Sequence, residues 1–381
     1  MRRLLALVGY IVITFASQSI WVTFAPVTTY VASELAVPVE YVGYLAVLYP
    51  IFFLLLTVPS GVLLDKNLRL WLAFGVITTA LGGLLRLVMP SSYLWLFFCQ
   101  LLAAVGQPFL LNGFVPFTTH MYPQRRSVII SSLTLSMYLG TVFAEAAGLA
   151  IFRGTGLIGL MAVNAAISAA GLLLFSFSIS SLPVSGGSGF AFSLRQIVNK
   201  RDLWIIGAIL GLGVAAFDNL STWLQPALAT AGLGDIAGTA VALAIISGLV
   251  GTTFIPSLVS QRNLRTWYLR SAAFLASALV VTIAFLLIPI LTYLNLTVAG
   301  FLMIPAYAIL MEWIGRFHPR ELHGSSTGFV GLVSRVLSVS LLLTAPYLIE
   351  SAKIYLIFIS ILLFLAFIFT LFLPNDRKIK T

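Results

Sequence analysis

The chain is poor in charge, in cysteine and in histidine. Only 8% of its 381 residues are Asp, Glu, Lys or Arg, against about 25% in an average soluble domain. So few charges cannot cover the surface of a water-soluble fold, which excludes the soluble classes. The one cysteine, Cys99, excludes an intrachain disulfide. The three histidines lie in or beside predicted loops without metal-ligand spacing, so we expect no metal, no cofactor and no enzymatic cluster at membrane depth.

Long apolar runs occupy most of the chain instead. Hydrophobic residues make up 60% of it, in blocks that can cross a hydrocarbon core of about 30 Å with roughly 20 residues each. Twelve such blocks predict an all-α membrane protein with twelve transmembrane helices. The expected spans are residues 4–31, 42–63, 70–88, 94–119, 127–150, 157–181, 203–230, 238–258, 267–288, 293–313, 324–346 and 354–373.

The basic residues of the short loops predict the orientation. They concentrate on the side that carries both termini, while the other side has only Arg86, Arg153 and Lys353. Because Lys and Arg in short loops mark the cytoplasmic side, both termini are expected in the cytoplasm. Two termini on the same side of the membrane require an even number of spans, which agrees with the count of twelve. The net charge is +10, but the basic residues sit in separate short loops and not on one patch, which argues against a nucleic-acid partner.

An internal repeat divides the spans into two groups of six. Residues 65–71 read DKNLRLW and residues 261–267 read QRNLRTW, and the same offset pairs Pro123 with Pro319. Six spans return the chain to its starting side, so the halves share one orientation, as in a parallel repeat that can rock about a central cavity. The expected parts are two pseudo-symmetric six-helix bundles and a cytoplasmic linker between them, at residues 1–182, 203–381 and 183–202.

The loop after span two contains Gly61, Asp65 and Arg69 at a fixed spacing of four residues. In these residues it resembles the signature that the major facilitator superfamily carries between its second and third helices. In the family, the acid and the base lock the cytoplasmic ends of the two halves, so the resemblance implies a cytoplasmic gate at these residues. The second copy has Gln261 in place of the acid, so only the first is expected to form the full charge latch. The alternative is that its basic residues are ordinary anchors at the membrane surface.

Two other signatures of this superfamily are missing. Span four lacks the arginine of proton-coupled members, and span five lacks the glycine–proline pair of drug antiporters. No phosphate-binding glycine loop with a following lysine is present, so ATP is not expected to drive this chain. A secondary transporter that works by alternating access is the main interpretation. A proton-coupled drug antiporter and a non-transporting membrane receptor are the alternatives.

Six short stretches carry a narrower resemblance: Trp21, 64–66, Gln107, 139–141, 216–217 with 221–222, and 319–328. They are similar, in order and in placement in the spans, to the feline leukaemia virus subgroup C receptor-related family, whose members carry choline and ethanolamine and have been linked to haem. The resemblance implies a small, amine-bearing organic substrate.

The cavity residues of that family map onto four positions of this chain. Its tryptophan in span one and its glutamine in span four are kept as Trp21 and Gln107, while a tyrosine and a glutamine become Asp218 and Arg335. These two departures replace neutral groups by opposite charges. Because Arg335 would repel a quaternary amine, a zwitterionic or polar substrate fits the mapped site better.

Asp218 and Arg335 also stand out without the family. They lie about 22 Å and about 16 Å along spans seven and eleven, inside the hydrocarbon. A charge there costs about 2.5–3.5 kcal/mol on the most lenient scale, and such residues face a partner or a watery cavity. Both spans belong to one half, so the two charges can pair. Either the pair permanently neutralises itself, or it forms a dipole that meets the substrate and, at Asp218, a proton.

A few further side chains complete the candidates. Glu145 in span five is a second candidate for proton coupling, unless it reaches the outer membrane surface. Trp21 and Trp223 each precede a proline in the first helix of a half, where a bent helix can line a gate and an aromatic face can hold a cation; interface anchoring is the alternative. Glu312 is expected to pair with Arg316 or with the gate loop. The protein is expected to be a monomer, and its expected partners are a small solute, the lipid bilayer and candidate coupling protons.

Overall fold

Every regular element that the structure describes is helical. The computed structural model describes residues 2–177, 179–182, 197–317, 323–374 and 376, and no strand occurs among them. The α-helices are Arg2–Trp21, Thr28–Leu35, Val39–Lys66, Leu68–Leu84, Tyr93–Asn112, Phe114–Met121, Arg126–Ser176, Arg201–Ala229, Ala237–Gln261, Arg265–Phe285, Pro289–Phe317, His323–Leu342 and Ala352–Leu371.

Eleven helical segments are long and apolar enough to cross a membrane. One of them, Arg126–Ser176, is kinked at Gly156, which has a φ of +68° and a ψ of −171°. Only glycine adopts this combination of φ and ψ without strain, because it has no Cβ. Gly140 and Gly171, on either side of the kink, both lie against residues 13–15 of span one, so the chain doubles back and the segment supplies two spans. The described residues therefore hold twelve spans, which confirms the predicted fold class.

Spans one and four are not the continuous helices that the sequence predicted. Span one stops as an α-helix at Trp21 and resumes at Thr28, with Pro26 in a 3₁₀ turn between them. Pro26 has no N–H to donate to the Val22 carbonyl, so one hydrogen bond of a continuous helix is missing here. Span four is divided at Gly113. In span seven the bend expected from Pro226 does not interrupt the helix.

The chain forms two compact units, Met1–Phe190 and Ala191–Thr381. Each unit has an apolar core of its own, built from spans one to six in the first and from spans seven to twelve in the second. Most of the linker expected at 183–202, namely residues 183–196, lies outside the described residues. The helix of span seven begins at Arg201.

The two repeated loops share residues but not conformation. Asn67 begins the helix of span three, and its Oδ1 accepts the N–H of the residue three positions on, at 3.0 Å. Its counterpart Asn263 has a φ of +51° and accepts from the guanidinium of Arg265 instead. Trp71 stacks on an aromatic ring, whereas Trp267 is 66% exposed. The repeat therefore identifies the topology and not the local geometry.

Candidate functional site

Asp218 and Arg335 form an ion pair inside the second unit. Arg335 Nη1 lies 3.1 Å from Asp218 Oδ2, and Ser338 Oγ donates to the same oxygen at 2.6 Å. Ser338 follows Arg335 by three residues, so one face of span eleven supplies both partners. The structure brings together the two charges that the sequence singled out. It adds the Ser338 hydroxyl, which the sequence analysis missed although its spacing of three residues from Arg335 indicates a shared helix face.

The two charges of this pair differ in exposure. The side chain of Asp218 is 3% exposed and that of Arg335 is 30% exposed. Asp218 lies about 26 Å from the start of the helix Arg201–Ala229, and Arg335 lies about 18 Å from the start of His323–Leu342. Hydrocarbon cannot hydrogen-bond a guanidinium at this depth, so its exposed part requires water or a ligand. The pair is therefore suited to a polar site that opens on the arginine side.

Further polar groups follow Asp218 along span seven. Asn219, Ser221 and Thr222 are buried, and Tyr355 of span twelve donates its hydroxyl to the Asn219 carbonyl at 2.8 Å. Among the described residues, Asn219 Oδ1, Ser221 Oγ and Thr222 Oγ1 find no hydrogen-bond partner. Buried polar atoms of this kind normally bind water or a ligand. The middle of span seven thus has unused hydrogen-bonding capacity beside the ion pair.

Trp21 and Gln107 lie in the first unit, and both are largely buried. Trp21 Nε1 donates to the Ala46 carbonyl at 3.0 Å, and its ring stacks on Tyr49 with 6.4 Å between the ring centroids. Both of these partners belong to span two. The indole is therefore anchored to a neighbouring helix, which argues against the alternative of an interfacial anchor.

Trp223 has no exposed surface. Span seven is helical on both sides of it and continues through Pro226 to Ala229. The ring offers no free face to a ligand in this conformation. A role at a gate therefore requires span seven to move.

Glu145 lies on span five and is only 3% exposed. Gly148, one turn further on, lies against Pro26, so this face of span five packs on the broken part of span one. This burial argues against the alternative of a side chain that extends to the outer membrane surface. Its Oε1 has no hydrogen-bond partner among the residues that the structure describes.

The first gate loop binds the end of its own unit. Arg69 Nε donates to the Leu182 carbonyl at 2.8 Å, and its Nη2 donates to the Ser180 carbonyl at 3.0 Å. A Cβ on Gly61 would meet open space. The side chain of Asp65 makes no ion pair or hydrogen bond with any described residue. Arg69 is thus more than a surface anchor, but no latch between Asp65 and a base is formed within the described part of the chain.

The second copy of the repeated loop, residues 261–267, holds the kind of charge cluster that the sequence assigned to the first copy. Arg265 is fully buried, with Nη2 at 2.6 Å from Glu312 Oε1 and Nη1 at 3.3 Å from Asp376 Oδ2. Asp376 also accepts the backbone N–H of Arg265 at 2.9 Å, at the start of span nine. The acids of this cluster come from distant positions along the chain, so the cluster forms although Gln261 stands in place of the loop acid. Glu312 pairs with Arg265 and not with Arg316.

Arg86 is a buried cation, which the sequence did not predict. It was counted among the basic residues of the outer side, and it lies fully buried at the end of span three. Its guanidinium donates to Thr23 Oγ1 at 3.1 Å, to the Ile20 carbonyl at 3.3 Å and to Gln100 Oε1. A lone arginine at the end of an apolar run carries no sequence signal that separates these two situations.

An apolar groove of about 830 Å³ runs along spans seven, eleven and twelve. Trp204, Phe329 and Phe369 are among its lining residues, and Arg201 lies at one end. None of the site residues predicted from the sequence lines it. The groove is therefore separate from the ion pair of Asp218 and Arg335.

Comparison with known proteins gives a family for most of this chain. A family model described as Major Facilitator Superfamily matches residues 7–342. Solute carrier family 49 member A3 of Xenopus tropicalis is 25% identical over 318 residues, which cover 75% of this chain and 64% of that protein. The matched region thus spans less than two thirds of the relative's length.

Solved transporter structures share the fold. A bacterial homologue of the human lysosomal transporter Spinster has a TM-score of 0.74 at 13% identity, covering 99% of this chain and 97% of its own. A D-xylose-proton symporter has a TM-score of 0.73 at 13% identity, covering 100% and 99%. A bacterial homologue of the iron transporter ferroportin has a TM-score of 0.64 at 16% identity, covering 97% and 98%. At these identities the likeness shows the fold alone.

Proposed function

Because this chain belongs to the Major Facilitator Superfamily, we propose that it moves a small polar, amine-bearing or zwitterionic organic solute across a membrane by alternating access. The family and the fold are those of transporters rather than of enzymes. The substrate class rests on one observation, the ion pair of Asp218 and Arg335 at membrane depth.

The chemistry of this pair favours a substrate that carries both charges. An ammonium group of the substrate competes with Arg335 for the Asp218 carboxylate, and a carboxylate of the substrate takes up the released guanidinium. Such an exchange replaces one charge-assisted contact by two, without leaving either buried charge alone. Ser338 Oγ, at 2.6 Å from Asp218 Oδ2, holds the carboxylate in place during the exchange.

The similarity to solute carrier family 49 member A3 supports the narrower resemblance to the receptor-related family in part. In that resemblance, Trp21 and Gln107 contact the amine end of the substrate, and an aromatic face holds a cation with about 0.5–2 kcal/mol. Trp223 is proposed to join them when span seven moves. A monomer with no cofactor is sufficient for this scheme.

Uptake into proteoliposomes tests the proposed function. The purified protein is reconstituted and offered radiolabelled ethanolamine, choline and small zwitterionic amino acids. We expect saturable uptake of an amine or a zwitterion above that of protein-free vesicles. Saturable binding without any uptake would instead favour the non-transporting receptor.

Arg335→Gln is expected to widen the choice of substrate toward quaternary amines. The change removes a like charge from the path of a cation and frees the Asp218 carboxylate, so choline uptake should rise about tenfold, as for about 1.4 kcal/mol of lost repulsion. Arg262→Gln is the matched control, because this arginine lies exposed in a loop of the same unit. An unchanged substrate panel in Arg335→Gln would contradict the role given to this residue.

Proton coupling through Glu145 is a second candidate function, as in the drug antiporter alternative. Its support is the burial of the carboxylate against the break in span one. A buried carboxylate with a free oxygen can bind and release a proton as the helices move. Asp218, whose carboxylate already has two partners, is the other proposed proton site.

Glu145→Gln tests that coupling. The amide keeps the shape of the side chain but cannot ionise, so an imposed pH gradient should no longer drive accumulation, while equilibrating uptake continues. The measurement is uptake with and without the gradient, in parallel for the unmodified protein and the variant. Gradient-driven accumulation that survives the substitution would exclude Glu145 as the proton site.

We further propose that Gly61, Asp65 and Arg69 form the gate and that both termini face the cytoplasm. The bonds of Arg69 to the carbonyls of Ser180 and Leu182 support the gate, since they tie this loop to the residues just before the linker. The orientation rests on the basic loops.

A further inference from the structure

The break in span one leaves two backbone carbonyls without their helical partners. In a continuous helix the carbonyls of Ile20 and Trp21 would accept the N–H groups of Phe24 and Ala25. Ala25 N–H bonds to the Val22 carbonyl instead, at 3.0 Å. The Ile20 carbonyl accepts the N–H of Thr23 at 3.4 Å and its hydroxyl at 3.1 Å, whereas the Trp21 carbonyl accepts no backbone N–H from the described residues. The helix therefore ends in a carbonyl without a backbone donor and in the negative end of its dipole, buried among the spans of the first unit.

Side chains from spans three and four take up these carbonyls. Arg86 Nη2 donates to the Ile20 carbonyl at 3.3 Å, and Gln100 Nε2 donates to the Trp21 carbonyl at 3.2 Å. Arg86 also donates to Thr23 Oγ1 at 3.1 Å and to Gln100 Oε1, so the two side chains are joined. Both are almost wholly buried.

A positive charge at this place matches the end of the helix. The Arg86 guanidinium lies over the ring of Phe24, at 5.3 Å from Cζ to the ring centroid, and no carboxylate pairs with it among the described residues. Its counter-charge is therefore the row of carbonyl dipoles at the end of span one and the face of the ring. This explains how an arginine without an acidic partner stays buried.

We propose that Arg86 and Gln100 form a clamp, the Arg86–Gln100 clamp, that holds the break in span one and thereby positions Trp21 for the substrate. The proposal rests on the proposed function, in which Trp21 contacts the amine. The clamp holds the backbone of Trp21 from span four, while the hydrogen bond to Ala46 and the stack on Tyr49 hold its ring from span two.

Without the clamp, the broken and the continuous forms of span one come closer in energy. The carbonyls of Ile20 and Trp21 can then regain Phe24 and Ala25 as backbone partners, up to Pro26. That change winds the chain by part of a turn and rotates the indole away from its stack. Arg86 is thus a positioning residue, since it acts on the substrate only through Trp21.

The test combines a structural signal with uptake. The protein is labelled with 5-fluorotryptophan, and the ¹⁹F resonance of residue 21 is identified by its loss in Trp21→Phe. We expect Arg86→Gln and Gln100→Leu to shift or broaden this resonance. We also expect them to raise the half-saturation concentration for uptake about tenfold, with a smaller change in the maximal rate, because a misplaced contact weakens binding first. Arg86→Lys keeps the charge but loses the planar guanidinium with its several N–H donors, so both readouts should lie between those of the unmodified protein and of Arg86→Gln.

Arg153→Gln is the matched control, since it removes a charge from an exposed position of the same unit and should leave both readouts unchanged. A folded Arg86→Gln and a folded Gln100→Leu with an unaltered residue-21 resonance would overturn the clamp. A shifted resonance with unaltered half-saturation would overturn the positioning role. If no solute is taken up by the unmodified protein, the proposed function fails, yet the resonance still tests the clamp. Gln100→Leu keeps the question open to test if Arg86 variants do not fold.

Discussion

Asp218→Asn is expected to cause the largest loss of function of any single substitution in this protein. The change leaves the Arg335 guanidinium without its counter-charge at membrane depth, and breaking a buried pair in this way costs about 3–5 kcal/mol. We expect a lower melting temperature and a fall in uptake of at least about a hundredfold. Thermal-shift measurements and proteoliposome uptake on the same preparation check both effects. Asp235→Asn, which removes an exposed carboxylate from the same unit, is the control.

The double variant Asp218→Asn with Arg335→Gln separates the two interpretations of the pair. Both charges are then absent, so stability should return toward that of the unmodified protein. If the pair is a dipole that binds the substrate, uptake stays low in the double variant. If the pair only neutralises itself, uptake recovers together with stability. Recovery of both would therefore remove Asp218 and Arg335 from the proposed binding site.

Arg265→Met is expected to cause the largest loss of stability outside the candidate site. Arg265 is fully buried between Asp376, which is 1% exposed, and Glu312, which is 36% exposed. Methionine keeps much of the packing but leaves Asp376 buried and unpaired. The expected loss is about 3–5 kcal/mol of unfolding free energy, measured by unfolding in mixed detergent micelles.

Arg69→Met is the matched comparison, because it makes the same change in the first copy of the repeated loop. Arg69 is half-buried and binds backbone carbonyls rather than carboxylates. Its removal strands no buried charge, so the expected loss is about 1 kcal/mol. A loss for Arg69→Met that equals or exceeds that for Arg265→Met would contradict the assignment of the charge cluster to the second copy.

The repeated loops show why their contacts were not predicted correctly. The sequence places Asp65 four residues before Arg69 and no acid before Arg265, which suggests that only the first copy is charged on both sides. The acids of the second copy come from the ends of spans ten and twelve, far away along the chain. Spacing within a loop reports neighbours along one helix. It does not report side chains that other helices bring to the same point.

The buried charges include one contact that the sequence could predict and one that it could not. The pairing of Asp218 with Arg335 could be expected, because a charge in hydrocarbon needs a partner and few charges were available. The position of Arg86 could not, because an arginine at the end of an apolar run fits a surface loop as well as a buried helix end. Its burial follows from the break in span one, which supplies acceptors that a continuous helix would not have.

The sequence by itself determined that this protein is an α-helical membrane protein with twelve spans in two groups of six. Hydrocarbon offers no hydrogen-bond partners to the backbone, so a long apolar run that crosses it has to form a helix, in which the N–H and C=O groups bond to each other. Only the tertiary structure decided which helices break and which charges meet. Those contacts depend on how neighbouring spans pack, because buried polar groups take the partners that packing brings within hydrogen-bonding distance.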